Sequence, residues 1–371
     1  MAMMPTIFLL FCKRLGLVSA AVLTTLVLVE TLLSIFSSKP QLAFEWVLDE
    51  VHQNHRVFDE ETLFTRPRYL DKTYFTSRSS PLTILALGDS FTEISYHPSA
   101  SKYPRFLERL LNDAGVNAEV INAGLSYSGN DQHLALLKYK ILPVFQPDII
   151  IYQFCFNDLW DNLDLSLYRI EDNKKLVHHG IDHNRLYFQH QLLGLIPLPY
   201  QFKKNLYIVR LLLALASPGP YYYVPDAYKD RKLAYSYRKT ELFVDEMIAL
   251  SKQYNFKLYF TDVDLQAEHL LNEGLPVPES LTLKQHIESH NLQRKLLTPL
   301  DTYIDTHFKP SDLATVNAHF KISIESIATE MFMNKHDPCE WGTKHYNTYG
   351  YWLFAQKIGN YLLQNGAFVQ H

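Results

Sequence analysis

The sequence predicts an α/β domain with a parallel sheet, preceded by one membrane-spanning helix. Short apolar runs that end at turn residues alternate with segments whose apolar residues recur at helical spacing. This alternation implies right-handed crossovers, parallel strands and helices on both faces, a three-layer sandwich. A long apolar run also lies near the N-terminus. We therefore expect a cytoplasmic stub and anchor at residues 1–37, a linker at 38–80 and an α/β domain at 81–371.

The apolar run Leu15–Phe36 predicts the anchor. It contains one charged residue, Glu30, and a helix of this length spans roughly 33 Å, enough to cross a bilayer. The alternative is a cleaved signal peptide, which needs a shorter core and a small-x-small cleavage site, and residues 34–40 contain no clean one. Lys13 and Arg14 precede the run, so the positive-inside rule places the N-terminus in the cytoplasm and the rest in the periplasm or outside the cell.

Three strands and two helices are predicted in the first half of the domain. The last strand is apolar throughout, as in strands buried on both faces. In chain order the elements are a strand at 83–87, a helix at 103–114, a strand at 119–121, a helix at 133–144 and a strand at 148–154.

The second half begins with an insertion at about 159–232, where the periodicity fails. Within it the apolar stretch Leu206–Ala216 is too short to span a membrane, which leaves a buried helix or a helix lying on a membrane surface. The regular pattern then resumes with a helix at 233–254, a strand at 257–261 and a closing helix at 351–363.

Composition excludes several classes of protein. The chain has 371 residues, 47% hydrophobic, with a net charge of −4. The chain is therefore long and apolar enough to form a hydrophobic core. Because it has no excess of basic residues, we do not expect nucleic acid as a partner. Three cysteines are too few for a disulfide framework or a Cys-based zinc site. Nucleotide-binding and zinc-protease motifs are absent from the sequence, so we expect no metal and no cofactor.

Polar motifs follow each of the three predicted strands. They are Gly88-Asp89-Ser90, Asn122-Ala123-Gly124 and Asn157-Asp158. Because the carboxyl ends of parallel strands share one edge of the sheet, the three motifs should converge. His345 precedes the last helix and can reach the same edge. A Gly-Asp-Ser segment alone is equally typical of a strand-end turn, so the prediction depends on the whole set.

These residue types suit acyl transfer by a serine nucleophile. An imidazole activates a serine hydroxyl by taking its proton, which assigns Ser90 as nucleophile and His345 as base. The charge that develops on the carbonyl oxygen requires hydrogen-bond donors. We expect the backbone N–H groups of Ser90 and Gly124 and the side-chain amide of Asn157 to form this oxyanion hole. Glycine at 124 should also allow close approach of the substrate.

The four segments resemble the SGNH (GDSL) hydrolase family at Ser90, Gly124, Asn157 and His345. The resemblance covers roughly residues 83–163 and 339–363, and it implies a flavodoxin-like parallel-sheet fold. With its N-terminal anchor the chain is similar to bacterial envelope members, among them esterases and acyltransferases acting on surface polysaccharide. The resemblance thus implies an acyl-ester small molecule or a polysaccharide as substrate.

Two positions depart from the family pattern. The family usually has Asp three residues before its histidine, where this chain has Gly342. Glu340 is our favoured substitute, with Asp337, a carboxylate from elsewhere and a plain Ser–His dyad left open. Cys155 replaces a frequent glycine, and because it should lie near the segment of Cys339, either a disulfide or two buried thiols is expected.

The sequence therefore predicts a membrane-anchored serine esterase or O-acyltransferase. The two activities share every residue named, because they differ only in whether water or a sugar hydroxyl takes the acyl group. We expect the insertion at 159–232 to decide between them by shaping the acceptor cleft. The alternative, motivated by Gly342, is a degenerate binding or scaffold protein of the cell envelope.

Overall fold

The computed structural model describes residues 4–40, 42, 45–53, 56–59, 63–67, 81–93, 102–155, 157–172, 174–180, 185–217, 224–230, 232–262 and 348–368. The chain forms two compact units, one of residues 1–53 and 185–219 and the other of 54–184 and 220–371. The strands are β1 (Arg56–Asp59), β2 (Leu63–Pro67), β3 (Leu82–Gly88), β4 (Ala118–Gly124), β5 (Ile149–Phe154), β6 (Tyr168–Glu171), β7 (Lys175–His178) and β8 (Lys257–Asp262). The helices are α1 (Met4–Phe36), α2 (Glu45–His52), α3 (Ser90–Glu93), α4 (Tyr103–Asp113), α5 (Asn130–Ala135), α6 (Asp158–Asp164), α7 (Arg185–Leu195), α8 (Tyr200–Lys203), α9 (Tyr207–Ala216), α10 (Lys232–Tyr254) and α11 (Thr348–Gln364).

The second unit is built around a parallel sheet with the strand order β4-β3-β5-β8. Its register sets Gly88 opposite Gly124 and Leu87 opposite Tyr152, so β3 and β4 end together and β5 continues past them. The predicted strands and their parallel arrangement are therefore confirmed. Three carboxyl ends, those of β3, β4 and β5, lie side by side at one edge.

Helices cover both faces of this sheet. Because side chains alternate along a strand, Ile149 and Ile151 of β5 join a core cluster that also contains buried side chains of α4 and α11. Tyr152 points to the other face, where its ring lies 4.7 Å from that of Phe243 in α10. The three-layer α/β sandwich expected from the sequence is therefore present.

Helix α5 differs from its sequence prediction. The periodicity predicted a helix at 133–144, whereas α5 begins at Asn130 and continues as a π-helical segment at 136–141. Its first turn carries polar side chains that are nevertheless buried: Asn162 donates to Asn130 Oδ1 at 2.8 Å, and Gly129 donates its N–H to Gln132 Oε1 at 2.9 Å. A hydropathy pattern does not show a polar turn that is buried through hydrogen bonds, which explains the late predicted start.

The predicted linker and insertion both contain regular structure. The linker region holds α2 in the first unit, and β1 and β2, paired antiparallel, in the second. The insertion supplies the antiparallel pair β6–β7 to the second unit and α7, α8 and α9 to the first. The insertion is therefore shared between the two units.

Within α1, the segment Lys13–Phe36 is long and apolar enough to cross a membrane. Length and composition alone support this, since a buried core helix or a signal sequence has the same pattern. None of the residues in the segment's most apolar part is buried within the structure. The core helix of a soluble protein is mostly covered by other parts of the chain, so the exposure of this segment distinguishes α1 from a core helix.

Candidate active site

Ser90 is the first residue of α3, directly after the central strand β3. The strand-to-helix turn is held by Asp89, whose Oδ1 accepts the N–H of Phe91 at 3.0 Å and the amide of Gln153 at 3.2 Å. Asp89 and Phe91 are buried, whereas Ser90 is partly exposed. The turn therefore presents the serine at the carboxyl edge of the sheet.

A buried ion pair stabilises α3 through its last residue, Glu93. Arg56 Nη2 lies 2.8 Å from Glu93 Oε2, and the two side chains are 3% and 2% exposed. Glu93 also accepts the backbone N–H of Ser126, and Arg56 donates to the carbonyl of Ser126 at 3.3 Å. Because α3 is only four residues long, these contacts fix the helix that begins at Ser90. No local pattern in the sequence indicates this pair, because its members lie 37 positions apart.

Gly124 packs against the backbone of α3. A Cβ at this position would lie 2.2 Å from the Glu93 nitrogen and 2.6 Å from the Thr92 carbonyl carbon. The sequence predicts that a substrate approaches Gly124 closely, whereas in the structure the backbone of Thr92 and Glu93 makes this close approach. The N–H of Gly124 donates to Asn122 Oδ1 at 2.9 Å, and Asn122 Nδ2 donates to the Thr92 carbonyl at 2.7 Å. The oxyanion role of Gly124 stays a prediction, in which its N–H would be shared with Asn122.

Asn157 follows β5 and is partly exposed at the start of α6. Its Nδ2 donates to Asp161 Oδ2 at 3.1 Å. The same amide also lowers the pKa of Asp89 through a side-chain hydrogen bond, so a developing oxyanion would share this NH₂ group with buried carboxyls. Asp158 closes the turn by accepting the Cys155 N–H at 3.1 Å. Asp161 therefore orients the amide, while Asp158 fixes the backbone that carries it.

Three buried carboxyl groups surround this turn. Burial raises the pKa of Asp89. Burial, and then the Asp89 charge, raise the pKa of Asp158 well above its usual range and that of Asp161 to about 8. Buried carboxyls near one another disfavour the charged form, and a pKa of about 8 leaves Asp161 mostly protonated at neutral pH. A developing oxyanion would therefore meet less repulsion than an ionised Asp161 would impose.

His345, Glu340 and Cys339 lie outside the described residues. The helix that follows them, α11, is described. Lys257, at the amino end of β8, donates to the Ala367 carbonyl at 2.6 Å. Lys357 donates to Thr261, near the carboxyl end of the same strand, at 3.4 Å. Helix α11 therefore runs antiparallel to β8 and starts on the side of the carboxyl edge.

The first turns of α11 also lie beside α3. The ring of Phe354 is 4.5 Å from that of Tyr103, whose hydroxyl lies 3.3 Å from Thr92 Oγ1. The start of α11 therefore lies near the helix that carries Ser90.

A serine–histidine contact lies in the core of the described part of the chain. His133 Nε2 is 2.7 Å from Ser128 Oγ, and its Nδ1 is 2.7 Å from the Tyr152 hydroxyl. Both Ser128 and His133 are fully buried, and burial lowers the pKa of His133 to about 3. A histidine that is neutral and inaccessible at every physiological pH supports packing, so Ser90 is the better candidate nucleophile.

No family model and no curated protein sequence matches the chain. Solved structures to which it is similar include a putative lipolytic protein of the G-D-S-L family from Desulfitobacterium hafniense, at 10% identity and a TM-score of 0.35, covering 75% of this chain and 98% of that one. An acetylxylan esterase from Geobacillus stearothermophilus is similar at 14% identity and a TM-score of 0.38, and the match covers 75% of this chain and 93% of that one. The acetyl xylan esterase AlAXEase is similar at 13% identity and a TM-score of 0.39, and the match covers 76% of this chain and 100% of that one. The function is therefore argued from the side chains of this chain.

Proposed function

We propose that the chain is a membrane-anchored serine esterase or O-acyltransferase with Ser90 as its nucleophile. The observation that carries this proposal is the position of Ser90, partly exposed at the first residue of α3. The turn around it is fixed by buried hydrogen bonds. The amide of Asn157 follows the adjacent strand at the same edge. A positioned hydroxyl beside a positioned amide donor is what acyl transfer requires.

The first half of the reaction forms an acyl-enzyme. Ser90 Oγ attacks the ester carbonyl carbon while its proton passes to the imidazole of His345. The carbonyl oxygen becomes an oxyanion, stabilised by the N–H groups of Ser90 and Gly124 and by the Asn157 amide. The C–O bond to the alcohol then breaks, and the departing oxygen takes the proton from the imidazolium.

The second half transfers the acyl group to an acceptor. Water or a sugar hydroxyl attacks the Ser90 ester and gives its proton to His345. The bond to Ser90 Oγ then breaks, and that oxygen takes the proton from the imidazolium, which restores free serine. Water yields a carboxylic acid, whereas a sugar hydroxyl yields a new ester on the sugar. The same residues serve both outcomes, so access of the acceptor selects between them.

The group that orients His345 is the open part of the triad. Glu340 remains our choice, since a carboxylate bound to the ring stabilises the imidazolium that forms during attack. A Ser–His dyad would operate without it, and more slowly. We place the catalytic domain on the periplasmic or extracellular side, on the strength of Lys13 and Arg14 before the anchor. Envelope polysaccharide is the proposed natural substrate.

Hydrolysis of 4-nitrophenyl acetate by the full chain in vesicles tests this function. We expect hydrolysis in the unmodified chain, loss of hydrolysis in Ser90→Ala, and full retention in Ser37→Ala, whose serine lies exposed at the end of α1. A folded chain that neither hydrolyses this ester nor reacts with a fluorophosphonate would support the binding or scaffold alternative. Adding an acetylatable xylo- or gluco-oligosaccharide then separates the two activities, because acetate recovered on the sugar indicates a transferase.

A further inference from the structure

The helical segment at residues 185–217, here called the lobe, exposes large apolar side chains. Leu195, Leu212 and Leu215 are 78%, 58% and 75% exposed. Leu198, Phe202 and Leu211 are exposed as well. Outside α1 and the lobe, the described part of the chain exposes only three large apolar side chains: Tyr139, Val144 and Leu363. Apolar exposure is thus concentrated in the first unit, which the lobe shares with α1.

The lobe is joined to α1 by a carboxylate within the membrane-length segment. Glu30 accepts the backbone N–H groups of Tyr207 and Ile208 at 2.7 and 3.0 Å. These are the first two residues of α9, where N–H groups lack partners within the helix and the helix dipole favours a negative charge. The one charged residue in the apolar run is therefore satisfied by the lobe, and α9 begins against α1.

The depth of this contact matches the edge of a bilayer. Glu30 lies about 26 Å along the helix from Lys13 and about 9 Å before Phe36, at a rise of 1.5 Å per residue. A hydrocarbon core is about 30 Å thick. With Lys13 at the cytoplasmic boundary, Glu30 and the start of α9 lie just inside the opposite boundary.

Three cations of the lobe have polar partners within the first unit. Arg210 pairs with Glu45 at 2.6 Å and also donates to the Pro40 carbonyl at 3.1 Å. Lys204 pairs with Asp49 at 2.6 Å. Lys203 is buried and donates to the carbonyls of Leu193 and Ile196. Burying the lobe in lipid would therefore leave none of these three charges without a partner.

From these observations we propose that the lobe inserts its exposed leucines into the membrane leaflet adjoining the C-terminal end of α1. The occupant of its apolar face is then lipid acyl chain, continuous with the lipid around α1. The helix α9 is nearly all apolar and too short to span, which is typical of a helix lying in the interface plane. The inference rests on the membrane anchoring included in the proposed function and adds a second point of attachment.

Spin labels in phosphatidylcholine vesicles test the proposal on the full chain. The native cysteines are replaced (Cys12→Ser, Cys155→Ala, Cys339→Ser), and single labels are placed by Leu212→Cys and Leu215→Cys. Lys229→Cys provides a water-exposed control, since its side chain is 66% exposed. Val22→Cys, on α1, reports on the anchor itself. Collisions with lipid-soluble oxygen and with a water-soluble nickel chelate are compared at each site.

The proposal expects residues 22, 212 and 215 to give oxygen-to-nickel collision ratios at least roughly tenfold above that of residue 229. Lipid contact at 22 but water contact at 212 and 215 would refute insertion of the lobe and leave the anchor intact. Shielding of 212 and 215 from both reagents would mean that protein covers this face, which also refutes it. Water contact at 22 would refute the anchor, and with it the inference.

A second variant tests the link to α1. We expect Glu30→Ala to increase the mobility of the label at 212, because the first N–H groups of α9 lose their acceptor. Thr24→Ala is the matched control, since that hydroxyl bonds only within α1, to the Ala20 carbonyl at 2.9 Å. Equal mobility in the two variants would contradict the role given to Glu30.

Discussion

The substitution Gly124→Ala tests whether the close packing of α3 against β4 controls the reactivity of Ser90. The added Cβ would lie 2.2 Å from the Glu93 nitrogen, whereas ordinary contacts begin at 3.4 Å. Since β4 is held in the sheet, α3 must shift by about 1 Å, and a misplacement of that size costs about a hundredfold in rate. Overpacking should also lower the free energy of unfolding by about 1–3 kcal/mol. The rate of phosphonylation by a fluorophosphonate and a urea melt measure the two effects.

Gly194→Ala is the matched control, because a Cβ there meets nothing within 4 Å. It should leave the rate unchanged and stabilise α7 by about 0.5–1 kcal/mol, the difference between Gly and Ala within a helix. Alanine at 124 keeps the backbone N–H, so a loss of rate would report the position of α3 and not a missing donor. Unchanged phosphonylation and stability in Gly124→Ala would refute the reasoning.

Four further changes test the rest of the site. Arg56→Met leaves the Glu93 carboxylate buried without its cation and should destabilise the chain by about 3–5 kcal/mol in a urea melt. The pKa of Asp161 is 3.8 for an ordinary aspartate and about 8 in the folded chain. Between these two pH values the carboxyl is protonated in the folded state and ionised in the unfolded state. Stability should therefore fall as the pH rises through that window, and Asp161→Asn should reduce the fall, measured by urea melts at pH 5 and pH 8. Asn157→Ala should lower kcat for 4-nitrophenyl acetate by about a hundredfold to a thousandfold, as loss of an oxyanion donor does. Glu340→Gln should lower kcat by up to about ten-thousandfold if this carboxylate orients His345.

Each of these changes has a control in the same chain. Lys175→Met breaks an exposed pair and should leave stability unchanged, unlike Arg56→Met. Asp164→Asn should reduce the pH dependence only in part, because the Asp164 charge contributes less than burial and Asp89 to the raised pKa of Asp161. Asn365→Ala should leave kcat unchanged. Loss of activity in Asp337→Asn but not in Glu340→Gln would transfer the orienting role to Asp337. An Arg56→Met chain as stable as the unmodified one would contradict the support assigned to the buried pair.

The sequence predicted the sheet well because its strands are buried on both faces. Apolar runs such as 148–154 are typical of buried strands when turn residues bound them, and the position of Ser90 at the end of the first predicted strand followed from that pattern. The start of α5 was missed because Asn130 is polar and yet buried. Hydropathy reports the type of side chain and not its hydrogen-bond partners.

Long-range contacts explain what the sequence could not give. Arg56 lies in the predicted linker and Glu93 in the motif region, and nothing local connects them. Likewise, Glu30 opposes membrane insertion when the run is considered alone, whereas the structure supplies its partners in α9. The close packing at Gly124 was expected to serve the substrate, because a glycine in the sequence does not reveal which backbone approaches it.

The proposed function depends most on activation of Ser90 by His345, and mass-spectrometric mapping of a fluorophosphonate adduct tests this activation most directly. We predict a single adduct, on the peptide that contains residue 90, absent in Ser90→Ala and formed at least about a hundredfold more slowly in His345→Ala. An adduct on another residue, or an undiminished rate of phosphonylation in a folded His345→Ala chain, would contradict this activation.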